Sequence, residues 1–410
     1  MAASRSSAHG WDVACFRRKA TSPGCVGVRA FRPPGSPDTQ WQFASCEARF
    51  CCVQVQDLPQ LRLQVTEHQA LHVQCPTCQA VAVGSFPPAV SSRAQYGPRL
   101  RAFAVYLVEQ QLVPYARVQE LLRDLCGVAL SGGTLVAWVR AAATTLESVE
   151  EQIKAALGRA PVLHSDETGV RQGGHLAWAH VASTARLTHY AIHSKRGRDA
   201  TDAIGILPAY TGVSVHDGWK PYQTQTRCRH ALCNVHHLRE LTFLAEQYEQ
   251  GWATELKRLL REMKAATEQA RRQGHTQLNA AVRNAFVARY DALIAAGLAA
   301  NPPPERGPHR RGRLKQSPVR NVLERLLLGK AQVLAFLYDL TILFDNNQAE
   351  RDLRMLRVQQ KVSGSFRSSA GAQAFARLRG YLSSLAKQGR ALLPALEAVF
   401  AGTPLSPSVV

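Results

Sequence analysis

Between residues 160 and 233 four short apolar runs are separated by turn residues, and their order restricts the topology more than any other stretch of the chain. Val162-Leu-His-Ser165, Leu176-Ala-Trp-Ala-His-Val181, Leu187-Thr-His-Tyr-Ala-Ile192 and Val213-Ser-Val-His216 are rich in β-branched and aromatic residues, as strands are. The second and third are joined by a Ser183-Thr-Ala-Arg186 turn, and Gly197–Tyr210 reads as a crossover helix. A meander of three strands, a helix and a further strand predicts an α/β protein with a mixed sheet flanked by helices. The first and last runs both meet an acid beside glycine: Asp166 in Leu163-His-Ser-Asp-Glu-Thr-Gly169 and Asp217 in Val215-His-Asp-Gly-Trp-Lys220. Each is read as the point where a strand ends and a loop begins. Glu167 is left out, because along a continuing strand it points to the opposite side.

A third acid stands far downstream, in Phe344-Asp-Asn-Asn-Gln-Ala-Glu-Arg351. The Asp-Asn-Asn segment offers N-capping side chains, which places Glu350 in the first turns of a helix. Asp345 is an alternative acid nearby. Glu350, Arg354, Arg357 and Lys361 follow at spacings that share one helix face, while Ala349, Leu353, Leu356 and Gln360 line the buried side. An acid heading a stripe of cations suits a metal ligand followed by phosphate contacts, and it also suits a solvated face with an ion pair. Arg239, Trp219 and Lys220 stand near the second acid as further candidates for DNA contact.

Charge gives these acids their meaning. The formal net charge is +20, which points to a polyanionic partner. Three carboxylates in such a chain suit hard divalent cations, which need oxygen ligands and can serve phosphodiester chemistry in pairs. The reading is a metal-dependent DNA strand-transfer enzyme using Mg2+ or Mn2+. No apolar run reaches the length of a membrane span and the N-terminus carries no secretory apolar segment, so a cytoplasmic, nucleoid-associated protein without membrane contact is expected.

Upstream, residues 1–52 show neither helical nor strand periodicity and are expected to be disordered or foreign to the rest. Alternation starts at Val53, where Leu61-Arg-Leu-Gln-Val65 and Ala70-Leu-His-Val-Gln74 predict a β-hairpin within a small 53–90 module. Cys75-Pro-Thr-Cys78 has the spacing of half a zinc site. Cys46, Cys51 and Cys52 form no second pair of that spacing. That leaves His68 and His72 as substitute ligands, or reduced thiols in a metal-free remnant. Cys233 and His236, joined by Cys228 or His237, are a second candidate zinc set, or simply order the start of a helix. Over 95–155 the period is helical: Val118, Leu121, Leu122 and Leu125 share a face, Gly127-Val-Ala-Leu-Ser131 makes a turn, and Ser131 is the expected N-cap of Thr134-Leu-Val-Ala-Trp-Val139. This helix-turn-helix-like region either reads DNA or is a packing unit. Helices are expected again from His236 to about Ala300. The basic, proline-rich stretch 301–315 is then an exposed connector, solvated or touching DNA.

Taken together the strand order resembles a ribonuclease-H-like core, and the motifs resemble the transposases of the insertion-sequence-66 family, bacterial enzymes with a triad of two aspartates and a glutamate. The resemblance runs from about Val53 to the C-terminus. It rests on Tyr96-Gly-Pro-Arg-Leu100, the turn and helix of 127–138, His164-Ser-Asp-Glu-Thr-Gly169, Val215-His-Asp-Gly-Trp219, Cys233-Asn-Val-His-His-Leu-Arg239, Asp345-Asn-Asn-Gln-Ala-Glu-Arg351 and Lys361-Val-Ser-Gly-Ser-Phe-Arg-Ser368. It implies that Asp166, Asp217 and Glu350 are the catalytic, Mg2+-binding triad of a core spanning 160–385, with residues 386–410 as a tail. It also implies a helical insertion at about 240–330, before the last catalytic helix, and an N-terminal zinc-finger-like region, of which only Cys75 and Cys78 match. The implied partners are double-stranded DNA as transposon ends and target, a second copy of the chain in a synaptic complex, and accessory proteins of the element. Two other readings stay open: a structure-selective nuclease on the same core, and a non-catalytic DNA-binding remnant.

Overall fold

The computed structural model describes residues 61–304 and 316–408, the pair 56–57, and the backbone of 5–8 and 11–14. The chain divides into two compact units, Met1–Gln60 and Leu61–Val410. Within the first, β1 (Arg5–Ala8) pairs antiparallel with β2 (Trp11–Ala14), although the sequence shows no alternation there. The rest of the segment 1–52 expected to lack order lies outside the described residues, as does 305–315 of the basic connector.

The second unit opens with a hairpin shifted from the expected one. Residues 61–65 form no strand; β3 (His72–Gln74) pairs instead with β4 (Val81–Val83) around the Cys75–Cys78 turn. Pro76 favours the turn, Gln79 takes a left-handed φ of 59°, and the Cys75 amide donates to the Ala80 carbonyl at 2.8 Å. Local turn chemistry thus selects a partner that follows His72–Gln74 rather than one that precedes it.

Four helices come next: α1 (Pro98–Val105), which continues into a wider π turn over Tyr106–Gln110, α2 (Tyr115–Cys126), α3 (Gly132–Thr145) and α4 (Glu147–Leu157). Gly127 ends α2 in the left-handed region, and the Ser131 hydroxyl caps α3 by accepting the Thr134 amide at 3.0 Å. Leu135 and Val139 are buried, in a core shared with α14 (Ser369–Lys387) and α15 (Leu392–Phe400). The residues from 386 expected as a tail therefore include a packed helix, with Ala395, Leu396 and Val399 buried.

The central sheet has five strands in the order β7-β6-β5-β8-β9. β5 (Val162–Gln172), β6 (His175–Ser183) and β7 (Thr188–His193) form an antiparallel meander; α5 (Arg198–Ile204) lies in the crossover; β8 (Val213–His216) returns parallel to β5, and β9 (Arg229–Leu232) is parallel to β8. A short α6 (Lys220–Gln223) separates β8 and β9. The pattern predicted all of these strands except β9. It also ended the first strand at Asp166, whereas β5 runs on to Gln172. The cause is the two-residue turn Gly173-Gly174, with φ of 56° and 82°, which closes a tight hairpin in register from Gln172↔His175 to His164↔Ser183 and carries the strand through the acid.

From Asn234 to Tyr338 the described chain is helical: α7 (Asn234–Tyr248), α8 (Gly251–Arg272), α9 (Ala280–Ala300), α10 (Pro318–Leu328), α11 (Lys330–Val333) and α12 (Ala335–Tyr338). Their apolar faces form a core with Val213, Val215, Ala231 and Leu232 of the sheet. Gly297 permits the close approach of α9, since a Cβ there would lie 2.7 Å from Leu323 and 3.0 Å from Trp252. Last, α13 (Asn347–Ser363) and α14 cover the sheet face bearing Val170, Ala177, Ala179 and Val181. Among the described residues no helix is long and apolar enough to cross a membrane.

Candidate active site

Strand register brings the first two acids together. Parallel pairing sets His164 opposite Val215, so two residues further along Asp166 and Asp217 stand abreast, at the level where β8 ends. Both side chains fall on the face that carries Val181, which is directly opposite Asp166 in β6, because alternation repeats every second residue. Each carboxylate is held by an adjacent amide: Asp166 Oδ1 accepts from Glu167 N–H at 2.8 Å, and Asp217 Oδ1 from Trp219 N–H at 2.9 Å. Gly218, at φ 89°, makes the turn after Asp217 that a side chain would strain. Beneath it His216 Nδ1 accepts the Gly218 amide at 3.0 Å, so Nε2 carries the proton and donates to His230 Nδ1 at 3.0 Å. Burial, with His230 beside it, lowers the His216 pKa to about 3, so the ring stays neutral.

The third acid arrives through one side chain. Asp345 caps the start of α13 by accepting the Asn347 amide at 3.1 Å, but Asn346 turns inward instead of capping. Its Nδ2 donates to the Ser165 carbonyl at 2.9 Å, its Oδ1 accepts from His164 Nδ1 at 3.0 Å, and its backbone amide donates to Cys233 Sγ at 3.2 Å. The helix N-terminus is thereby pinned to β5 one residue before Asp166 and to the residue that follows β9. Further along, Arg357 Nε donates to Thr168 Oγ1 at 3.2 Å, and past the helix end the Phe366 amide donates to the Arg171 carbonyl at 2.9 Å. Thus α13 follows β5 for its whole length, with Glu350 in its first turn. Ala349, Leu353 and Leu356 are buried as the spacing required, and Gln360 is half-buried.

Asp166, Asp217 and Glu350 line a single cleft of about 360 Å³, walled by Arg196, Arg239, Arg354 and Arg357, with His236 and Glu167 also lining it. Burial, then the charges of Glu167, Asp217 and Glu350, push the Asp166 carboxyl up to about 7, against the Glu167 amide that lowers it. Three oxygen donors under such mutual repulsion, one of them a buried Glu350 Oε1 without a hydrogen bond, fit a hard divalent cation, whose charge would relieve them. Asp345 is not among the lining residues; its carboxylate lies 3.7 Å from Lys264. Of the expected DNA contacts, Lys220 and Lys361 are exposed and do not line the cleft.

The residue that the sequence did not single out is Arg196, in the loop between β7 and α5. Its Nε and Nη2 donate to Glu167 Oε1 at 2.9 and 2.7 Å, and its guanidinium lies 4.7 Å from the Trp178 ring and 4.1 Å from the Trp219 ring. Glu167 in turn accepts the Tyr222 hydroxyl on its other oxygen. Glu167 thus lines the same cleft as Asp166, with its carboxylate tied to Arg196 and Tyr222, and serves to fix a cation at the cleft wall.

Cysteines fall in two places. Cys75 and Cys78 are free, and among the described residues no third ligand gathers round them; His72 lies in β3 and His68 in the unpaired stretch before it. Cys46, Cys51 and Cys52 lie outside the described residues. Cys233, His236 and Glu350 present ligand atoms within 4.8 Å of one another, a group whose third member is an acid rather than the Cys228 or His237 considered from sequence. Burial pushes the Cys233 thiol up to about 11. His237 is buried against Glu240, and Cys228 donates to the Gln225 carbonyl.

No curated protein matches the chain. A family model described as Transposase IS66 family matches residues 93–374, which take in the helices α1–α4, the whole sheet, the helical segment and α13. That match covers well over half of the chain and includes every acid and arginine of the cleft, and the protein belongs to the IS66 family of transposases.

Proposed function

We propose that the protein is a metal-dependent DNA strand-transfer enzyme, in which Asp166, Asp217 and Glu350 hold two Mg2+ or Mn2+ ions. The observation that carries this reading is the convergence of three acids, distant in sequence, in one cleft walled by arginines. Asp166, Asp217 and Glu350 would hold the ions through carboxylate oxygens, the donors that hard divalent cations take. When bound, the ions polarise the scissile phosphate and activate first water and then the freed 3′-hydroxyl. Arg196, Arg239, Arg354 and Arg357 take the DNA phosphates and hold the scissile bond in line. The rigid sheet and the pinned α13 supply the positioning on which phosphoryl transfer depends.

The substrate on this reading is the inverted-repeat end of the element: water opens the 3′ phosphodiester, and the new 3′-hydroxyl attacks a target phosphodiester with loss of the target's 3′-oxygen. Pairing of two ends calls for a second copy of the chain. Oligonucleotides carrying the repeat ends, incubated with target DNA and Mg2+, are expected to be nicked and then joined. Replacement of Asp217 by Asn should lower cleavage about a thousandfold, equivalent to ~4 kcal/mol of lost charge stabilisation, with DNA affinity retained because no cation is removed. Cleavage without joining would favour a nuclease on this core; equal loss of binding and cleavage would show that Asp217 serves folding instead.

A further inference from the structure

The register that aligns Asp166 with Asp217 extends one strand further. His216 pairs with Leu232, so Asp217 and Cys233 also stand abreast. Cys233 is the residue from which α7 departs, and His236 lies in the first turn of that helix, facing the N-terminal turn of α13. Cys233 Sγ, a His236 ring nitrogen and a Glu350 carboxylate oxygen therefore meet within 4.8 Å. His236 Nδ1 and Glu350 Oε1 are 4.0 Å apart, and both atoms are buried without a hydrogen-bond partner. That separation is too long for a hydrogen bond. It is about half an ångström wider than the ~3.4 Å between two ligands that share a tetrahedral ion at about 2.0–2.2 Å each.

We propose that Cys233, His236 and Glu350 form a second metal site, selective for Zn2+ and ions like it. Sulfur and nitrogen donors disfavour Mg2+, which takes oxygen, and favour a borderline ion in a three-ligand site whose fourth position is open to water. Binding replaces the Cys233 thiol proton, which passes to solvent. The proposal rests on the reading of Glu350 as a ligand of the catalytic cations, because both sites draw on that one carboxylate. Zinc at Cys233 and His236 holds Glu350 away from Asp166 and Asp217, so the two metals compete, and zinc restrains the enzyme while Mg2+ is in excess.

The test uses the full chain, titrated with Co2+ as a coloured substitute for Zn2+, and reads the sulfur-to-cobalt charge-transfer absorbance. Comparison with Cys233→Ser removes any contribution from the other cysteines, and serine still offers an acceptor to the Asn346 amide. One equivalent of thiolate-bound Co2+, displaced by Zn2+, is expected to vanish in Cys233→Ser. His236→Ala, which removes a nitrogen that bonds to nothing, should weaken Co2+ binding by at least about tenfold while the fold, judged by circular dichroism, is kept. Equal Co2+ stoichiometry with and without Cys233, or unchanged affinity in His236→Ala, overturns the site. A Mg2+-dependent cleavage assay run alongside separates the two ideas. Cleavage without a Cys233-dependent cobalt signal leaves the catalytic reading standing and removes this one. A cobalt signal in a protein that never cleaves keeps the three-ligand site and overturns its competition with Mg2+.

Discussion

Arg196 shows how much of a cationic cleft wall can be built from contacts that no motif announces. Two tryptophan rings and a carboxylate hold its guanidinium, so little side-chain freedom remains to be lost when DNA arrives. Arg196→Ala is expected to reduce the slope of log K against log salt by about one unit, one phosphate contact's worth on duplex DNA; an unchanged slope would make the residue a purely structural strut. Asp166 and Asp217 were legible because an apolar run that stops at an acid and a glycine is a local pattern. Arg196 was not, because its partners come from β5, β6 and the loop after β8, and only register brings these together. Glu109 was equally illegible. Burial pushes its carboxyl from 4.5 to about 8, against the charge of Arg379, which lowers it. The folded chain then keeps this proton across a window in which the unfolded chain has lost it, so stability falls as pH rises from 4.5 to 8. Glu109→Gln, which cannot ionise, should gain up to a few kcal/mol over the parent at pH 8 and almost nothing at pH 4.5, read as urea midpoints at the two pH values. A gain independent of pH would assign the effect to packing.

Helix α13 is the element on which the site depends, and Asn346 is its anchor. Asn346→Ala removes the bonds to His164 and to the Ser165 carbonyl and leaves buried partners unmatched, at a cost of about 2 kcal/mol. Because the same bonds fix the turn that carries Glu350, the variant should also need more Mg2+ for half-maximal cleavage; a stability loss with an unchanged metal requirement would separate the two roles. Arg354 and Arg357 both face the cleft, so their joint replacement by Ala is expected to flatten the salt slope by nearly two units. The exposed Lys361, outside the cleft, should contribute less than either. The stripe of cations and the buried Ala349, Leu353 and Leu356 could be read from 3.6-residue spacing alone. The inward turn of Asn346 could not, since the same residue in the same place is an ordinary cap candidate. The length of β5 was missed for a different reason: Gly173-Gly174 is a hairpin signal in its own right, but the acid at 166, with a glycine close behind it, had already been taken as the strand's end. Gly169 is in fact paired with Trp178 inside the ladder.

At the scale of the whole molecule, the chain from Leu61 to Val410 is a compact unit that contains all three acids. A protein beginning at Leu61 is therefore expected to unfold cooperatively and to retain Mg2+-dependent cleavage, measured on the same oligonucleotides; loss of folding would tie residues 1–60 to the core. The mixed sheet and the helical segment after it were legible as a succession of periods, whereas β9 was too short and too polar at Arg229 and His230 to stand out. The order in which the parts occur along the chain has a further consequence during synthesis. All five strands are complete by Leu232, yet the face bearing Val170, Ala179 and Val181 is covered by α13 and α14, which emerge only after the entire helical segment. A growing chain that has made the whole sheet still shows a bare apolar face to its surroundings and lacks Glu350. On the proposed reading a complete acid cleft and a covered sheet face consequently arrive together, late in translation, and a chain that ends early is left with neither.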